Sequence, residues 1–249
     1  LPNSFLFSSF HFKNYFKLKI KNGNFIDADL VKVIHRDLRL GNLVVKDECD
    51  QSVLDFGLAR SLSCGDNFLS TYAVTSWYRS PEVMYWKISS YDTQADVWSV
   101  GCILAELTLR RPLFPGEDSM SLYRLIAELC GSPDQELLSK LVSNEAVVNV
   151  INKLGLYPRK SFEDYFPQNV SIELIDFLDR ILVLDPEKRM TVTDALSHPY
   201  LAEYSVPEDE PVAGGPFILD EVSSDRTLSE WKSRFLKHLI PNFTSIIFW

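Results

Sequence analysis

His35-Arg36-Asp37-Leu38-Arg39-Leu40-Gly41-Asn42 is the stretch whose reading decides this chain, and Asp55-Phe56-Gly57 follows it after a short strand-like interval. Further along come Ser80-Pro81-Glu82 and then Asp96-Val97-Trp98-Ser99-Val100-Gly101. One aspartate on a loop is ordinarily a turn former, so no single one of these stretches carries an argument. Around them the apolar runs at 31–34, 43–45 and 53–54 are short and broken by polar clusters, which predicts short strands flanking loops. From Pro81 the pattern turns helical. Val97, Val100, Ile103, Leu104 and Leu107 recur at helical spacing, as do Leu122, Leu125, Ile126 and Leu129, and Leu174, Phe177, Leu178 and Ile181. Ser132-Pro133-Asp134 predicts a helix start with Pro at the first helical position.

Taken in order and at these spacings, the four stretches resemble the protein kinase signature set: the H-R-D-L-x-x-x-N catalytic loop, D-F-G, and A-P-E with Ser80 in the place of Ala. The ordered set overturns the turn-former reading for Asp37 and Asp55. Phosphoryl transfer needs these residue types, because the transferred group carries spread negative charge and the protein supplies positioning and cations. The resemblance implies ATP and Mg2+ as cofactors. Asp37 is expected to orient the substrate hydroxyl and take its proton, and Asn42 and Asp55 to supply hard oxygen ligands for magnesium. Arg39 stands where most Ser/Thr kinases have Lys, keeping the positive charge but as a planar fork. Thr75 is expected to hydrogen-bond Asp37. Val44 and Leu54 are expected in the apolar floor under the adenine, Arg189 to pair with Glu82, and Asp96 to bond the catalytic-loop backbone.

The chain is most similar to the mitogen-activated protein kinases (MAP kinases). Residues 68–79 resemble their activation segment, whose Thr-x-Tyr phosphorylation motif here reads Ser70-Thr71-Tyr72. Each phosphate adds close to two negative charges and acceptors suited to Arg. The resemblance implies that Arg36 and Arg60 receive the phosphate on Ser70, and Arg79 that on Tyr72; Ser76 replaces a second tyrosine-phosphate Arg. Residues 112–170 look like the MAP-kinase insert, and Leu184 to Arg189 with His198-Pro199-Tyr200-Leu201 resemble the end of the domain. Residues 204–213 resemble the acidic docking site for basic peptides, with Glu208 and Asp209 as its carboxylates and Val206 in the place of one acid; the alternative is a merely solvated acidic face. Glu136-Leu137-Leu138, residues 146–154 and Glu230-Trp231-Lys232 look most like the stress-activated branch.

Composition bounds the rest. With 249 residues, 46% apolar and 24% charged, the chain has ample length for a buried core. A net charge of -9 argues against phosphate-backbone binding and suits partners with basic patches. Four separated cysteines without a C-x-x-C pair fit reduced thiols in a cytoplasmic and nuclear protein. The most apolar stretch, 97–109, is interrupted by Ser99, Gly101, Glu106 and Thr108 and reads as a buried helix, so no membrane role is expected.

The expected fold is thus an α+β protein-kinase-like one, truncated: a mainly α-helical C-terminal lobe with small β elements and the N-lobe missing. Residues 1–24, with neither helical nor strand periodicity, read as an atypical leader, disordered or spurious. Residues 25–201 form the kinase C-lobe, and 202–249 a C-terminal extension whose Pro/Gly-rich part, 206–215, is expected to lie extended over a surface. The ten glycines include no G-x-G-x-x-G, and 34 residues precede His35, too few for an N-lobe. Two functions follow. One is a proline-directed serine/threonine kinase of stress signalling, present as an incomplete, by itself inactive chain. Its partners are an upstream dual-specificity MAP kinase kinase, and substrates and phosphatases with basic docking peptides, but neither nucleic acid nor membrane. The other is a non-catalytic truncated kinase acting as docking competitor or scaffold.

Overall fold

The computed structural model describes residues 17–20, 24–27, 33–45, 51–61, 76–86, 92–141 and 145–202. All fall within the first of the two units into which the chain divides, Leu1–Phe217.

The body is organised around one helix, α1 (Gln94–Leu109), whose sequence is apolar on nearly every side. Such a helix has no solvated face to offer and must be enclosed. Val97, Trp98, Val100, Ile103 and Leu104 are buried as their spacing predicts. Leu107 differs: it is exposed, because the helix surfaces in its last turn. Gly101 marks a close crossing, since a Cβ there would lie 2.5 Å from Cγ2 of Ile181. The helix ends at Arg110, which takes the left-handed conformation (φ 57°) that favours glycine. Arg110→Gly is therefore expected to stabilise the fold by about 1 kcal/mol, read as a raised urea midpoint.

The remaining helices contribute apolar residues to the same core: α2 (Ser119–Cys130), α3 (Gln135–Leu141), α4 (Glu145–Leu154), α5 (Phe162–Tyr165), α6 (Ile172–Ile181), α7 (Val192–Leu196) and α8 (Pro199–Ala202). Local chemistry sets most of their starts. Asp118 and Ser121 form a reciprocal capping box at α2, and Ser161, Ser171 and Thr191 cap α5, α6 and α7. The start of α3 departs from the sequence reading. Asp134, not Ser132, is the cap, its Oδ1 accepting from Leu137 N at 2.8 Å. The Ser132 hydroxyl is instead engaged by Tyr157 N at 2.9 Å, so Pro133 precedes the helix.

The described strands form three two-stranded antiparallel ladders. They are β1 (Lys17–Ile20) with β2 (Asn24–Asp27), β3 (Val33–Ile34) with β6 (Arg60–Ser61), and β4 (Leu43–Val45) with β5 (Gln51–Val53). The strands at 33–34, 43–45 and 51–53 match the short apolar runs. Strand β1 falls within residues 1–24, where the sequence shows no strand periodicity beyond a few residues. Its alternation, Lys-Leu-Lys-Ile, spans only four residues, and pairing with β2 supplies the bonds that so short a pattern cannot specify. Among the described residues no helix is long and apolar enough to cross a membrane. Cys102 and Cys130 are free, buried thiols, and burial pushes the Cys130 thiol up to about 12. Cys49 and Cys64 lie outside the described residues.

Candidate active site: the Asp37 loop and its anchor on α1

The loop between β3 and β4 gathers the polar residues that the sequence singled out. Asp37 is 8% exposed, and its Oδ2 accepts from Nδ2 of Asn42 at 3.1 Å and Nε of Arg39 at 3.3 Å. Asn42 also donates to the Asp37 carbonyl at 2.8 Å, closing the loop on itself. A 3-10 turn over Leu40–Asn42 brings Asn42 round to reach back, through Asn42 N to Arg39 O at 2.9 Å. Asp37 N donates to Nδ1 of His35 at 3.3 Å. That fixes the ring: with Nδ1 accepting, Nε2 carries the proton and donates to Leu54 O at 3.0 Å. His35 thus ties the loop to the Asp55 segment, and its ring also meets the edge of Phe56, centroids 4.8 Å apart.

Two residues here hold left-handed backbone without being glycine, Arg36 (φ 71°) and Asp55 (φ 61°). Such conformations cost about 1–3 kcal/mol each and persist only where the surroundings fix them. For Arg36 the fixing group is Asp96 on the first turn of α1. Its two carboxylate oxygens accept from His35 N at 2.7 Å and Arg36 N at 2.9 Å, as the sequence reading expects. Burial raises the Asp96 carboxyl above the ordinary value, and the two amide donors oppose that rise. For Asp55, its own Oδ1 accepts from Gly57 N at 3.3 Å and caps the 3-10 turn Phe56–Leu58.

Asp55 is exposed, as are Val44 at 40% and Leu54 at 46%. Phe56 is likewise exposed, at 43%. Leu54 N bonds Asn42 O at 2.8 Å, so the β4–β5 ladder carries the loop and the Asp55 segment together. Asn42 and Asp55 both offer hard oxygens, and Asp55 uses only Oδ1 and Asn42 only Nδ2 in bonds among the described residues. That donor set fits magnesium, which takes one or two protein oxygens and completes its shell with phosphate and water.

The β3–β6 ladder sets Arg60 opposite Ile34, two residues before Arg36, so it brings the backbones of these two predicted phosphate ligands together. Arg79 lies in the turn 76–79, closed by Arg79 N to Ser76 O at 3.0 Å. Thr75, Ser70, Tyr72, Glu208 and Asp209 lie outside the described residues, as does the segment 206–215. Glu82 and Arg189 pair as expected, through Nη1–Oε1 at 2.7 Å and Nη2–Oε2 at 3.0 Å.

Sequence reasoning missed the second anchor on α1. Ser99 Oγ donates to Tyr78 O at 2.7 Å, and the Tyr78 hydroxyl donates to Glu106 Oε2 at 2.6 Å. Trp77 Nε1 donates to Gly116 O at 2.8 Å. The only trace in the sequence was a polar Ser99 and Glu106 inside an apolar helix. Burial, and then the Glu106 bond, push the Tyr78 phenol well above its usual range. Segment 76–80 and the Asp37 loop are therefore pinned to the same helix. Next to it, Ser80 is buried with a hydroxyl that finds no hydrogen-bond partner among the described residues. An unmet buried hydroxyl costs about 1–3 kcal/mol. Ser80→Ala is accordingly expected to raise stability by about 1 kcal/mol in urea unfolding.

Residues 5–201 match the protein kinase domain family, and the chain belongs to that family. It is 51% identical over 211 residues to mitogen-activated protein kinase pmk-3 of Caenorhabditis elegans, covering 84% of this chain and 44% of that protein. To mitogen-activated protein kinase 14 of Xenopus laevis it is 44% identical over 201 residues, 80% of this chain and 54% of that one. To mitogen-activated protein kinase 11 of Arabidopsis thaliana it is 47% identical over 188 residues, 76% and 50%. Within the kinases it falls among the MAP kinases, most like their stress-activated branch. The chain spans about half the length of the curated relatives it matches.

Proposed function

We propose that this chain carries the catalytic loop of a proline-directed serine/threonine kinase, which passes the γ-phosphate of ATP to protein hydroxyls in intracellular stress signalling. The observation that supports this most is the Asp37 carboxylate: 8% exposed, flanked by Arg39 and Asn42, and held through Asp96 on the central helix. Asp37 takes the proton of the substrate hydroxyl as the oxygen–phosphorus bond forms and the bond to the ADP oxygen breaks. Arg39 offers its positive fork to the phosphate in flight, while Thr75 steadies Asp37. Asn42 and Asp55 would hold magnesium, whose chemistry when bound would be to neutralise charge on the phosphates. Val44 and Leu54 lie under the adenine. The nucleotide contacts that other parts of a kinase provide belong to an N-lobe.

Regulation follows the family. Phosphorylation of Ser70 and Tyr72 by a dual-specificity MAP kinase kinase would engage Arg36 and Arg60, and Arg79, respectively. Glu208 and Asp209 would receive basic docking peptides of substrates and phosphatases. Residues 112–170 are the family insert, 25–201 the C-lobe and 202–249 the extension, in a protein of cytoplasm and nucleus. The test is transfer of radiolabelled phosphate by the full-length protein, activated by such an upstream kinase, to a matched pair of peptides, Ser-Pro and Ser-Ala. Labelling of the Ser-Pro peptide is expected. No transfer to either peptide, with the activation segment shown to be phosphorylated, would sink the assignment.

A further inference from the structure

Gly41 sits in the middle of the 3-10 turn that returns Asn42 to Asp37. Its backbone lies outside the left-handed region, so any residue could adopt its conformation, and conformational freedom does not explain a glycine there. Space does. A Cβ built on Gly41 would lie 3.1 Å from Nη1 of Arg39 and 3.7 Å from its Cζ, and beyond its chain neighbours it meets no other atom within 4 Å among the described residues. The guanidinium thus lies over the bare Cα of Gly41.

We infer that Gly41 is a positioning residue for Arg39, its missing side chain leaving the seat in which the guanidinium rests. The same plane that rests on Gly41 through Nη1 meets Asp37 Oδ2 through Nε at 3.3 Å. A guanidinium is rigid, so its edges cannot be adjusted separately. Displacing Nη1 swings Nε away from the Asp37 carboxylate and re-aims the outer face of the fork. The turn itself has no reason to suffer, because the displaced atom is the far end of a flexible, one-third exposed side chain. An alanine at 41 should therefore leave stability alone and act on the alignment of Arg39. A lysine at 39 has no plane to seat, so it should be indifferent to that alanine. The inference rests on the proposed role of Arg39 in transfer.

The test uses the full-length, activated protein with Gly41→Ala, Arg39→Lys, the double substitution and Arg39→Ala. The expected result is that Gly41→Ala lowers kcat about tenfold beside Arg39, a loss in the range that misplacement of a positioned group produces. The urea midpoint and the KM for ATP stay put. In the Arg39→Lys background the same substitution changes kcat by less than about twofold, a non-additivity that a purely structural role would not give. Independently of activity, the Nε–H NMR signal of Arg39, recognised by its loss in Arg39→Lys, shifts on Gly41→Ala. Equal losses of kcat in both backgrounds, or an unmoved Arg39 signal, would overturn the inference. Full kcat in Arg39→Ala would remove the catalytic reading of Arg39, while the NMR shift would still report whether Gly41 seats it.

Discussion

Arg189→Ala is expected to lower the unfolding free energy by about 3–5 kcal/mol, measured as the shift of the urea midpoint in the full-length protein. Glu82 is 2% exposed and Arg189 3%, and their two carboxylate–guanidinium bonds are the only ionic compensation either group has among the described residues. Arg189 also donates to Gln94 O at 2.6 Å and to Val183 O from Nε and Nη2, and its guanidinium lies 5.1 Å from the Trp98 ring centre. Removing it strands a buried carboxylate and takes away bonds to three carbonyls, those of Gln94, Val183 and Leu184, beneath the N-terminal turn of α1. Domains of this kind hold a margin of about 5–15 kcal/mol, so the loss takes a large share of it. Replacing both partners, as Glu82→Leu with Arg189→Met, should recover much of the deficit, because no charge is then stranded. A single Arg189→Ala within about 1 kcal/mol of the parent would show that water reaches Glu82 and that the pair is not sealed.

The largest expected functional effect is that of Asp37→Asn. Asparagine keeps the shape and can present its oxygen to Arg39 Nε and Asn42 Nδ2, so the loop should fold unchanged. It cannot take a proton. A loss of kcat of about 100- to 10,000-fold is expected, the usual share of a positioned general base. The urea midpoint should stay within about 1 kcal/mol of the parent. The check is steady-state phosphate transfer beside the unfolding curve of the same preparation. Retained activity would move the proton acceptor elsewhere, and a collapsed midpoint would make the loss one of folding.

The contrast between the two substitutions reflects how far apart their partners lie in the chain. Asp37, Arg39 and Asn42 meet within one turn, so eight consecutive residues carry nearly the whole constellation. Glu82 and Arg189 are 107 residues apart, and Asp96 lies 61 residues from His35. These pairs were readable only because the chain resembles a known family; nothing in their local sequence announces a partner.

Residue pattern by itself determined the helical body, the buried character of α1 and the identity of the loop that gathers Asp37, Arg39 and Asn42. Apolar spacing fixes which face of a helix must be covered, and a short loop can only join what lies within its own reach. The tertiary structure decided the rest. Ser132 reads as a helix cap until Tyr157, 25 residues away, takes its hydroxyl and leaves the capping to Asp134. Ser99 and Glu106 read as blemishes in an apolar helix until Tyr78 arrives to use both. In each case the side chain has several possible partners of similar strength, and which one it takes depends on what packing brings within about 3 Å.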